Sequence, residues 1–497
     1  DVSLADGRGV LAKFGARITN EASAINAVTA VMKPSDVAAL SRQEEVLWLE
    51  SPLPPLTATN SNTRARTNVD LVQNVAPYNL NGAGVTVLVY DVGRASHEDF
   101  NGRIVDQDGT SVADHSTHVA GTVLGNGSGA GTSVLNNRGM APSASLITYG
   151  YETDGSGTIL YDNLGDIQSD MQNGINHGAN IATASLGSNV STNGFPCSDE
   201  GDYPAAAQLL DKIVRGSLGR PLIMTWANGN ERQGSATCGS TFNTTAPPAT
   251  AKNPIQVGAT NQNNDNSAGF SSWGPTDDGR LKPIIAAPGV SVLSTIPNQF
   301  IDNTGRNCDG SGDDFCWPYD TMSGTSMATP AVAGISALMV QQFQSSYSTT
   351  TNPLPATVKA ILMNTAASPS GGNGPDFRMG YGRVDARAAV DTIRENRFVE
   401  GKVTSNGEVQ RYHVNVKPGD TTLQVSLAWD DADGTLLAAT ELVNDLDLRL
   451  IAPDGVTTWQ PWVLDPANPS NTATRGNDTL NNQEMVTVPN PAVGWWT

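Results

Sequence analysis

Hydrophobic and polar residues follow three different patterns along the chain, and the longest pattern covers residues 61–397. There, short runs that are apolar at every position alternate with stretches of helical spacing. Strands that are apolar on both faces are typical of a parallel sheet covered by helices. Five runs predict such strands: VTVLVYD, SLITYGY, IATASLG, PLIMTWANGN and PIQVGATN. We therefore expect an α/β domain whose functional residues lie at the carboxyl ends of these strands.

The second pattern covers residues 398–497, where apolar residues occupy every second position, as in LQVSLAW and LDLRLIAP. Such alternation is typical of antiparallel strands with one buried face. The pattern predicts a jelly-roll-like β-sandwich. Because the last residues, GWWT, would lie inside a strand, we expect the natural protein to continue beyond them.

The third pattern covers residues 1–60 and predicts a small α+β unit. AINAVTAVMK and VLWLES are strand-like, and SDVAALSRQ is helix-like with Ser35 or Asp36 near its cap. The stretch PLPPLTATNSNTRARTN follows and is rich in Pro, Thr and Asn, which predicts an exposed linker.

Size and charge limit the classes of protein to which the chain can belong. Its 497 residues are more than usually fold around a single hydrophobic core, which predicts two or three domains. Lys and Arg total 29 against 49 for Asp and Glu, a formal charge of −20 that argues against nucleic acid as a partner. No apolar run approaches the roughly 20 residues that a membrane-spanning helix needs, so we expect no membrane partner.

The four cysteines, Cys197, Cys238, Cys308 and Cys316, allow three disulfide pairings. Cys308 with Cys316 is favoured because these two flank one short loop, which leaves Cys197 with Cys238. An even count without a Cys-x-x-Cys zinc spacing indicates an oxidising, extracellular setting.

The stretch SGTSMATPAVAG places Ser326 at the start of a helix of very small residues. Such a serine is often only a helix N-cap. However, small residues let a helix lie deep in a protein, and Pro330 falls in or near its first turn, where a missing N–H costs least. The positive end of a buried helix can stabilise negative charge at a nucleophile. A serine nucleophile also needs a base, an orienting acid and an oxyanion donor.

Candidates for these three roles lie elsewhere in the chain. His115 and His118 begin a small-residue helix, and each could be a base or a buried structural residue. A metal site is the less favoured interpretation, because no carboxylate or thiol cluster completes it. Asp91 ends an apolar strand and could orient a histidine or cap a turn. Asn230 and Asn228 follow another apolar strand, and either amide could bind an oxyanion or form an Asx turn.

The order Asp91, His115, Ser326, with an asparagine between base and nucleophile, resembles the subtilisin-like serine proteases, the subtilases. HSTHVAG is similar to the family's histidine motif, which makes His115 the base and His118 a packing residue, with Ser116 in place of the usual glycine. YDVG resembles the aspartate motif, with Val92 where the family usually has Thr or Ser. GTSMATP matches the serine motif, and GNE matches the oxyanion motif and selects Asn230.

The resemblance also implies a peptide-binding cleft. YETDGSGT and ASLGSN resemble the two segments between which subtilases clamp an extended peptide, and without the triad both would be interpreted as glycine turns. Strand addition of this kind uses backbone hydrogen bonds for affinity. Acidic residues in the first segment could favour basic side chains. The implied substrate-binding residues are Gly150, Glu152, Asp154, Gly155, Ser185, Leu186 and Gly187.

FSSWGPTDDGRLKPIIAAPG resembles a segment of the long, KP-43-like branch of the family, and LVNDLDLRLIAPDG resembles the β-sandwich that follows the protease domain in that branch. Residues 1–60 resemble the latter part of a subtilase propeptide. The resemblance implies a secreted serine endopeptidase that acts on polypeptides through an acyl-enzyme and that is inhibited by its own propeptide. A catalytically silent binding protein and an esterase are the alternatives; the lipase-type G-x-S-x-G elbow is absent around Ser326.

The resemblance further implies structural Ca²⁺, whose ligands the sequence leaves open. Each of the two acidic stretches CDGSGDDFC and NDLD could hold the ion or form only a solvated turn or capped strand end. Their candidate ligands are Asp309, Asp313, Asp314, Asn444, Asp445 and Asp447.

Overall fold

The structure of the protein is a computed structural model. The structure describes residues 3–22, 27–46, 49, 59–129, 137–152, 163–188, 190, 196–233, 238, 241–261, 263–297, 318–368 and 374–497. The chain separates into two units, Asp1–Thr57 and Ala58–Thr497.

The first unit contains the predicted strand and short helix, preceded by two elements that the sequence analysis missed. Its elements are α1 (Leu4–Lys13), β1 (Arg17–Ala22), β2 (Ala27–Val31) and α2 (Val37–Leu40). Strands β1 and β2 pair antiparallel. Two glycines in α1 obscure its helical pattern, but a capping box between Ser3 and Asp6 marks its start. The predicted strand VLWLES lies largely outside the described residues.

The prediction that PLPPLTATNSNTRARTN is an exposed linker throughout is wrong for its second half. Residues Thr59–Arg66 form helix α3 of the second unit. Thr63 and Arg64 are buried, and the Arg64 guanidinium forms an ion pair of 2.9 Å with Asp70. A polar sequence is therefore held inside the fold by specific partners, which composition does not reveal.

A seven-stranded parallel sheet forms the centre of the second unit, in the order β4-β5-β3-β6-β7-β8-β9. The five strands predicted from apolar runs are confirmed as β3, β5, β6, β7 and β8. The sequence analysis missed the edge strands β4, which is largely exposed, and β9, which has only four residues. The strands are β3 (Thr86–Asp91), β4 (Ile104–Gln107), β5 (Ser145–Gly150), β6 (Ile181–Ala184), β7 (Ile223–Ala227), β8 (Ile255–Thr260) and β9 (Ile285–Pro288).

Helices cover both faces of this sheet, as predicted. Val87 and Val89 of β3 belong to one hydrophobic core together with residues of α4 and α7. Leu88 and Tyr90 of the same strand belong to a second core with residues of α5 and α6. The helices are α4 (Asp114–Leu124), α5 (Leu164–Asn176), α6 (Ala205–Val214), α7 (Thr325–Tyr347), α8 (Pro355–Thr365) and α9 (Ala386–Arg394). A hairpin of β10 (Val292–Thr295) and β11 (Tyr319–Met322) lies beside α4.

Helix α7 is buried along most of its length, which confirms the interpretation of its small residues. At Gly334, a Cβ atom would come within 2.5 Å of Met140 Cβ and 3.0 Å of the Val123 carbonyl oxygen. Pro330 is the sixth helical residue, beyond the first turn, so its missing N–H deprives a carbonyl inside the helix of its partner.

Residues 398–497 contain eight short strands in antiparallel pairs, consistent with a β domain. The longest pair joins β13 to β18 over seven residues on each strand. The other pairs are β12 with β19, β14 with β15, and β16 with β17. The strands are β12 (Val414–Val416), β13 (Thr422–Ala428), β14 (Leu450–Ile451), β15 (Thr458–Trp459), β16 (Trp462–Val463), β17 (Thr474–Arg475), β18 (Gln483–Pro489) and β19 (Gly494–Trp496).

A buried ion pair connects this β segment to the central sheet. Lys252, just before β8, places its Nζ 2.6 Å from Asp431 Oδ2, and both side chains have no exposed surface. The same ammonium also donates to the Glu441 carbonyl at 2.6 Å. Asn253 and Asp431 exchange hydrogen bonds beside this pair. The β segment thus supplies the counter-charge for a lysine of the catalytic segment.

A disulfide joins Cys197 to Cys238, as the cysteine pattern predicts. Cys308 and Cys316 lie outside the described residues, so their pairing stays a prediction. In the described part of the chain, no helix is both long and apolar enough to cross a membrane.

Replacing Asp431 should destabilise the protein strongly, because it removes the carboxylate that is paired with the buried charge of Lys252. We expect Asp431→Ala to lower the free energy of unfolding by about 3–5 kcal/mol. Asp433→Ala is the matched control, since it removes an exposed pair with Lys212 and should cost at most about 1 kcal/mol. Denaturant unfolding measures both. Equal losses of unfolding free energy in the two variants would show that the buried pair contributes no more to stability than the Lys212–Asp433 pair.

Candidate active site

Asp91 and His115 meet at the carboxyl edge of the sheet. Asp91 is the last residue of β3, and His115 is the second residue of α4. His115 Nδ1 lies 2.6 Å from Asp91 Oδ1. Because the carboxylate accepts this hydrogen bond, Nδ1 carries the proton, and Nε2 of the neutral ring is left with a free lone pair.

The two departures from the family motifs leave this pair intact. Val92 donates its backbone N–H to Asp91 Oδ1 at 2.7 Å, a hydrogen bond that does not depend on the side chain. Ser116, which replaces the usual glycine, places its hydroxyl 3.4 Å from the same oxygen. The orienting carboxylate therefore has three donors around one oxygen atom.

The environment of His115 favours a basic imidazole. Burial lowers the pKa of His115, but the charge and hydrogen bond of Asp91, together with the charge of Asp114, outweigh this effect and raise the pKa above its ordinary value. The side chain keeps 30% of its surface exposed. His115 is thus accessible for proton transfer.

His118 has the opposite environment. It is fully buried, and its Nε2 donates to the carbonyls of Val292 at 2.8 Å and Asp320 at 3.2 Å. Burial lowers the pKa of His118 to about 4, so the ring is neutral at physiological pH. His118 therefore attaches α4 to the β10–β11 hairpin. No group of three or more His, Cys, Asp and Glu side chains that could hold a metal occurs among the described residues.

Ser326 is the second residue of α7 and lines a small cleft together with Asn230 and the segment 185–188. Its Oγ donates to the Ser185 carbonyl at 3.1 Å. Within the described residues, no hydrogen bond joins Ser326 to His115. The hydroxyl must therefore rotate away from Ser185 before it can transfer a proton to the base.

The structure distinguishes the two candidate asparagines. Asn230 Oδ1 accepts from the backbone N–H of Thr325 at 2.9 Å and from its hydroxyl at 3.0 Å, and Nδ2 has no hydrogen-bond partner among the described residues. Asn228 is fully buried and donates its Nδ2 to the Ser272 carbonyl at 2.9 Å. Only Asn230 lines the cleft with Ser326. Thr325, which fixes this amide, was not recognised as a site residue, although it stands beside Ser326 in the serine motif.

Known proteins share this sequence pattern. Residues 82–382 match the model of the subtilase family. The chain belongs to this family. M-protease of Shouchella clausii is 30% identical over 388 residues, or 75% of this chain and 81% of that protein. Subtilisin Savinase of Lederbergia lenta is 32% identical over 337 residues, or 65% of this chain and 97% of that protein. Serine protease AprX of Bacillus subtilis is 34% identical over 306 residues, or 57% of this chain and 62% of that protein. The chain is thus a subtilisin-like serine protease.

The predicted peptide-binding residues of this subtilase lie at the ends of two strands. Ser185, Leu186 and Gly187 follow β6 and line the cleft. Gly150 ends β5 opposite Asp91, and the exposed Glu152 follows it. Asp154 and Gly155 lie outside the described residues.

One of the two predicted calcium sites of the subtilase, the stretch NDLD, lies within the described residues, and two of its three candidate ligands, Asn444 and Asp447, have other partners. The Asn444 amide donates to Asp431 Oδ1 at 2.8 Å, and Asp447 forms an ion pair of 3.1 Å with Arg449. NDLD therefore does not form a free set of metal ligands. Asp309, Asp313 and Asp314 lie outside the described residues.

The activity of this subtilase should fall in acid with a midpoint above about 6.5, the ordinary pKa of histidine. His115 accepts a proton only when neutral, and its raised pKa moves protonation to higher pH. The dependence of kcat/KM on pH measures this midpoint in the free enzyme.

Asp91→Asn tests the cause of this shift. The variant should lower kcat by roughly 10⁴, and the midpoint of its residual activity should move to lower pH, because the neutral amide no longer stabilises the imidazolium. A midpoint that is the same in both chains would show that Asp91 does not set the pKa of the base.

Proposed function

We propose that this subtilase is a secreted serine endopeptidase that cleaves peptide bonds through Asp91, His115 and Ser326. The observation that carries the proposal is the 2.6 Å hydrogen bond between His115 and Asp91 at the carboxyl edge of the sheet, to which β6, the strand before the Ser326 cleft, also belongs. The Cys197–Cys238 disulfide supports secretion, because disulfides persist in oxidising compartments.

In the proposed mechanism, Ser326 Oγ attacks the scissile carbonyl carbon and transfers its proton to His115 Nε2. Asp91 stabilises the resulting imidazolium. Asn230 Nδ2 and the Ser326 backbone N–H bind the oxyanion, and the positive end of α7 adds to this stabilisation. His115 then protonates the leaving amine, and a water molecule, activated by the same histidine, hydrolyses the acyl-enzyme.

The substrate in this proposal is an extended polypeptide bound as an added strand between residues 150–155 and 185–187. Glu152 is exposed at the end of β5, where its carboxylate can attract a basic side chain of the peptide. Structural Ca²⁺ remains part of the proposal, with Asp309, Asp313 and Asp314 as its candidate ligands. Bound Ca²⁺ would stabilise the folded state by mass action.

Asn230→Ala should lower kcat and leave KM nearly unchanged, because the amide acts on charge that develops only in the transition state. In subtilisin, losing one oxyanion donor costs roughly 10²–10³ in kcat, and we expect the same range here. Steady-state kinetics on a peptide amide measure both constants.

Asn228→Ala is the control for this prediction, since it removes a buried amide of the same chemistry outside the cleft. Asn228→Ala should lower the melting temperature and leave kcat nearly unchanged. If Asn230→Ala instead raises KM with kcat intact, the amide binds substrate and not the oxyanion.

We further propose that residues 1–60 include a propeptide that the enzyme itself removes. Counting back from Asp91 by the spacing usual in the family places the cut near Asn60. This residue lies within α3, whereas a protease binds extended backbone. Cleavage is therefore expected before Thr59. Mass spectrometry should show that the unmodified chain shortens there and digests casein, while the Ser326→Ala chain stays whole and inactive.

Three other outcomes would change this proposal. If the unmodified chain digests casein but stays full length, the N-terminal unit is a permanent part of the protein. If it hydrolyses simple esters but not casein, the activity is that of an esterase. If a correctly folded chain hydrolyses neither, it is a catalytically silent homologue.

A further inference from the structure

Helix α7 lacks one backbone hydrogen bond close to Ser326, the proposed nucleophile. In an α-helix, the carbonyl of a residue accepts a hydrogen bond from the N–H four residues later. For Ser326 that residue is Pro330, which has no N–H. The Ser326 carbonyl therefore lacks its helical partner at the point where the backbone must be held most firmly.

The hydroxyl of Ser185 replaces the missing donor. Ser185 follows β6, is only 4% exposed, and donates its Oγ to the Ser326 carbonyl at 2.8 Å. In the opposite direction, Ser326 Oγ donates to the Ser185 carbonyl at 3.1 Å. Two hydrogen bonds thus connect the nucleophile to the carboxyl end of β6.

We propose that Ser185 is a positioning residue whose hydroxyl compensates for Pro330 and so fixes the backbone of Ser326. This inference rests on the proposed function of Ser326 as the nucleophile. It is distinct from the predicted role of segment 185–187 in binding peptide, which depends on backbone atoms. The Ser185 hydroxyl contacts the nucleophile itself, so its loss should affect catalysis more than substrate affinity.

Displacement of the nucleophile is costly because catalysis requires reacting atoms to be held within a fraction of an ångström. The neighbouring Thr325 is already fixed to Asn230 through its N–H and hydroxyl. Ser185 completes this arrangement by fixing the carbonyl side of Ser326. Without the Ser185 hydroxyl, the carbonyl has neither the donor four residues later in the helix nor the donor that follows β6, and the first turn of α7 can shift.

A double-mutant cycle between Ser185 and Pro330 tests the compensation directly. Ser185→Ala should lower kcat by about tenfold with little change in KM, the scale expected when a carbonyl loses its only donor. In the Pro330→Ala background, residue 330 supplies an N–H to the Ser326 carbonyl. There, the further change Ser185→Ala should lower kcat by about twofold or less. The readouts are kcat and KM on a peptide amide and the rate at which a fluorophosphonate labels Ser326.

Two control variants separate positioning from general stability. Ser185→Thr keeps the hydroxyl and should keep most of the activity. Ser336→Ala removes a buried hydroxyl of α7 that donates to the Val332 carbonyl at 2.9 Å. The Val332 carbonyl can also accept from the backbone N–H of residue 336, so it does not depend on this hydroxyl. Ser336→Ala should leave kcat unchanged. Melting temperatures of all variants show whether each chain is folded at the assay temperature.

The inference is overturned if Ser185→Ala has the same effect on kcat in both backgrounds, or no effect in either. A loss that appears only in KM would assign the hydroxyl to peptide binding. An unmodified chain that neither cleaves peptides nor reacts at Ser326 would instead refute the proposed function, which separates the two failures.

Discussion

The active site depends on one buried charge, the carboxylate of Asp91 at the end of β3. An ionised side chain with no exposed surface is tolerated only when donors replace the water that it has lost. Val92, Ser116 and His115 all direct donors to the same carboxylate oxygen. The contact that stabilises the buried charge also fixes the tautomer of His115 and raises its pKa. The start of α4 must therefore lie beside the end of β3.

The order of strands in the sheet brings the other site residues to the same place. β3, β6 and β7 are neighbours in a parallel sheet, so their carboxyl ends lie along one edge. Asp91 ends β3, while Ser185 and Asn230 follow β6 and β7. The first two residues of helix α7 donate hydrogen bonds to these two residues: Thr325 donates to Asn230, and Ser326 donates to Ser185. Its small side chains allow it to lie close enough to the sheet for these contacts.

The stability of the catalytic sheet also involves the β segment. Lys252 has no exposed surface, and its charge is balanced by Asp431 from beyond residue 398. The Lys252 carbonyl in turn accepts from Lys359 Nζ of α8 at 2.7 Å. Removing the β segment would take away the carboxylate and the two carbonyls that accept hydrogen bonds from this ammonium. The family model ends at residue 382, but the physical unit that folds with the sheet extends further.

Local patterns in the sequence by themselves determined the family, the five central strands and the buried helix behind Ser326, because apolar periodicity and short motifs are properties of neighbouring residues. The proposal that His115 is the base came only from the resemblance of its motif. Tertiary structure decided what depends on contacts between distant segments. It showed that α3 is held within the fold by partners such as Asp70. It also showed that Asn228 Nδ2 donates to Ser272, whereas Asn230 Nδ2 has no partner among the described residues. It also showed that the Ser185 hydroxyl reaches the carbonyl that Pro330 leaves without a donor. Residues 185 and 330 are far apart in the chain. Only the packing of α7 against β6 places the Ser185 hydroxyl beside the Ser326 carbonyl oxygen, the atom that lacks a donor at residue 330.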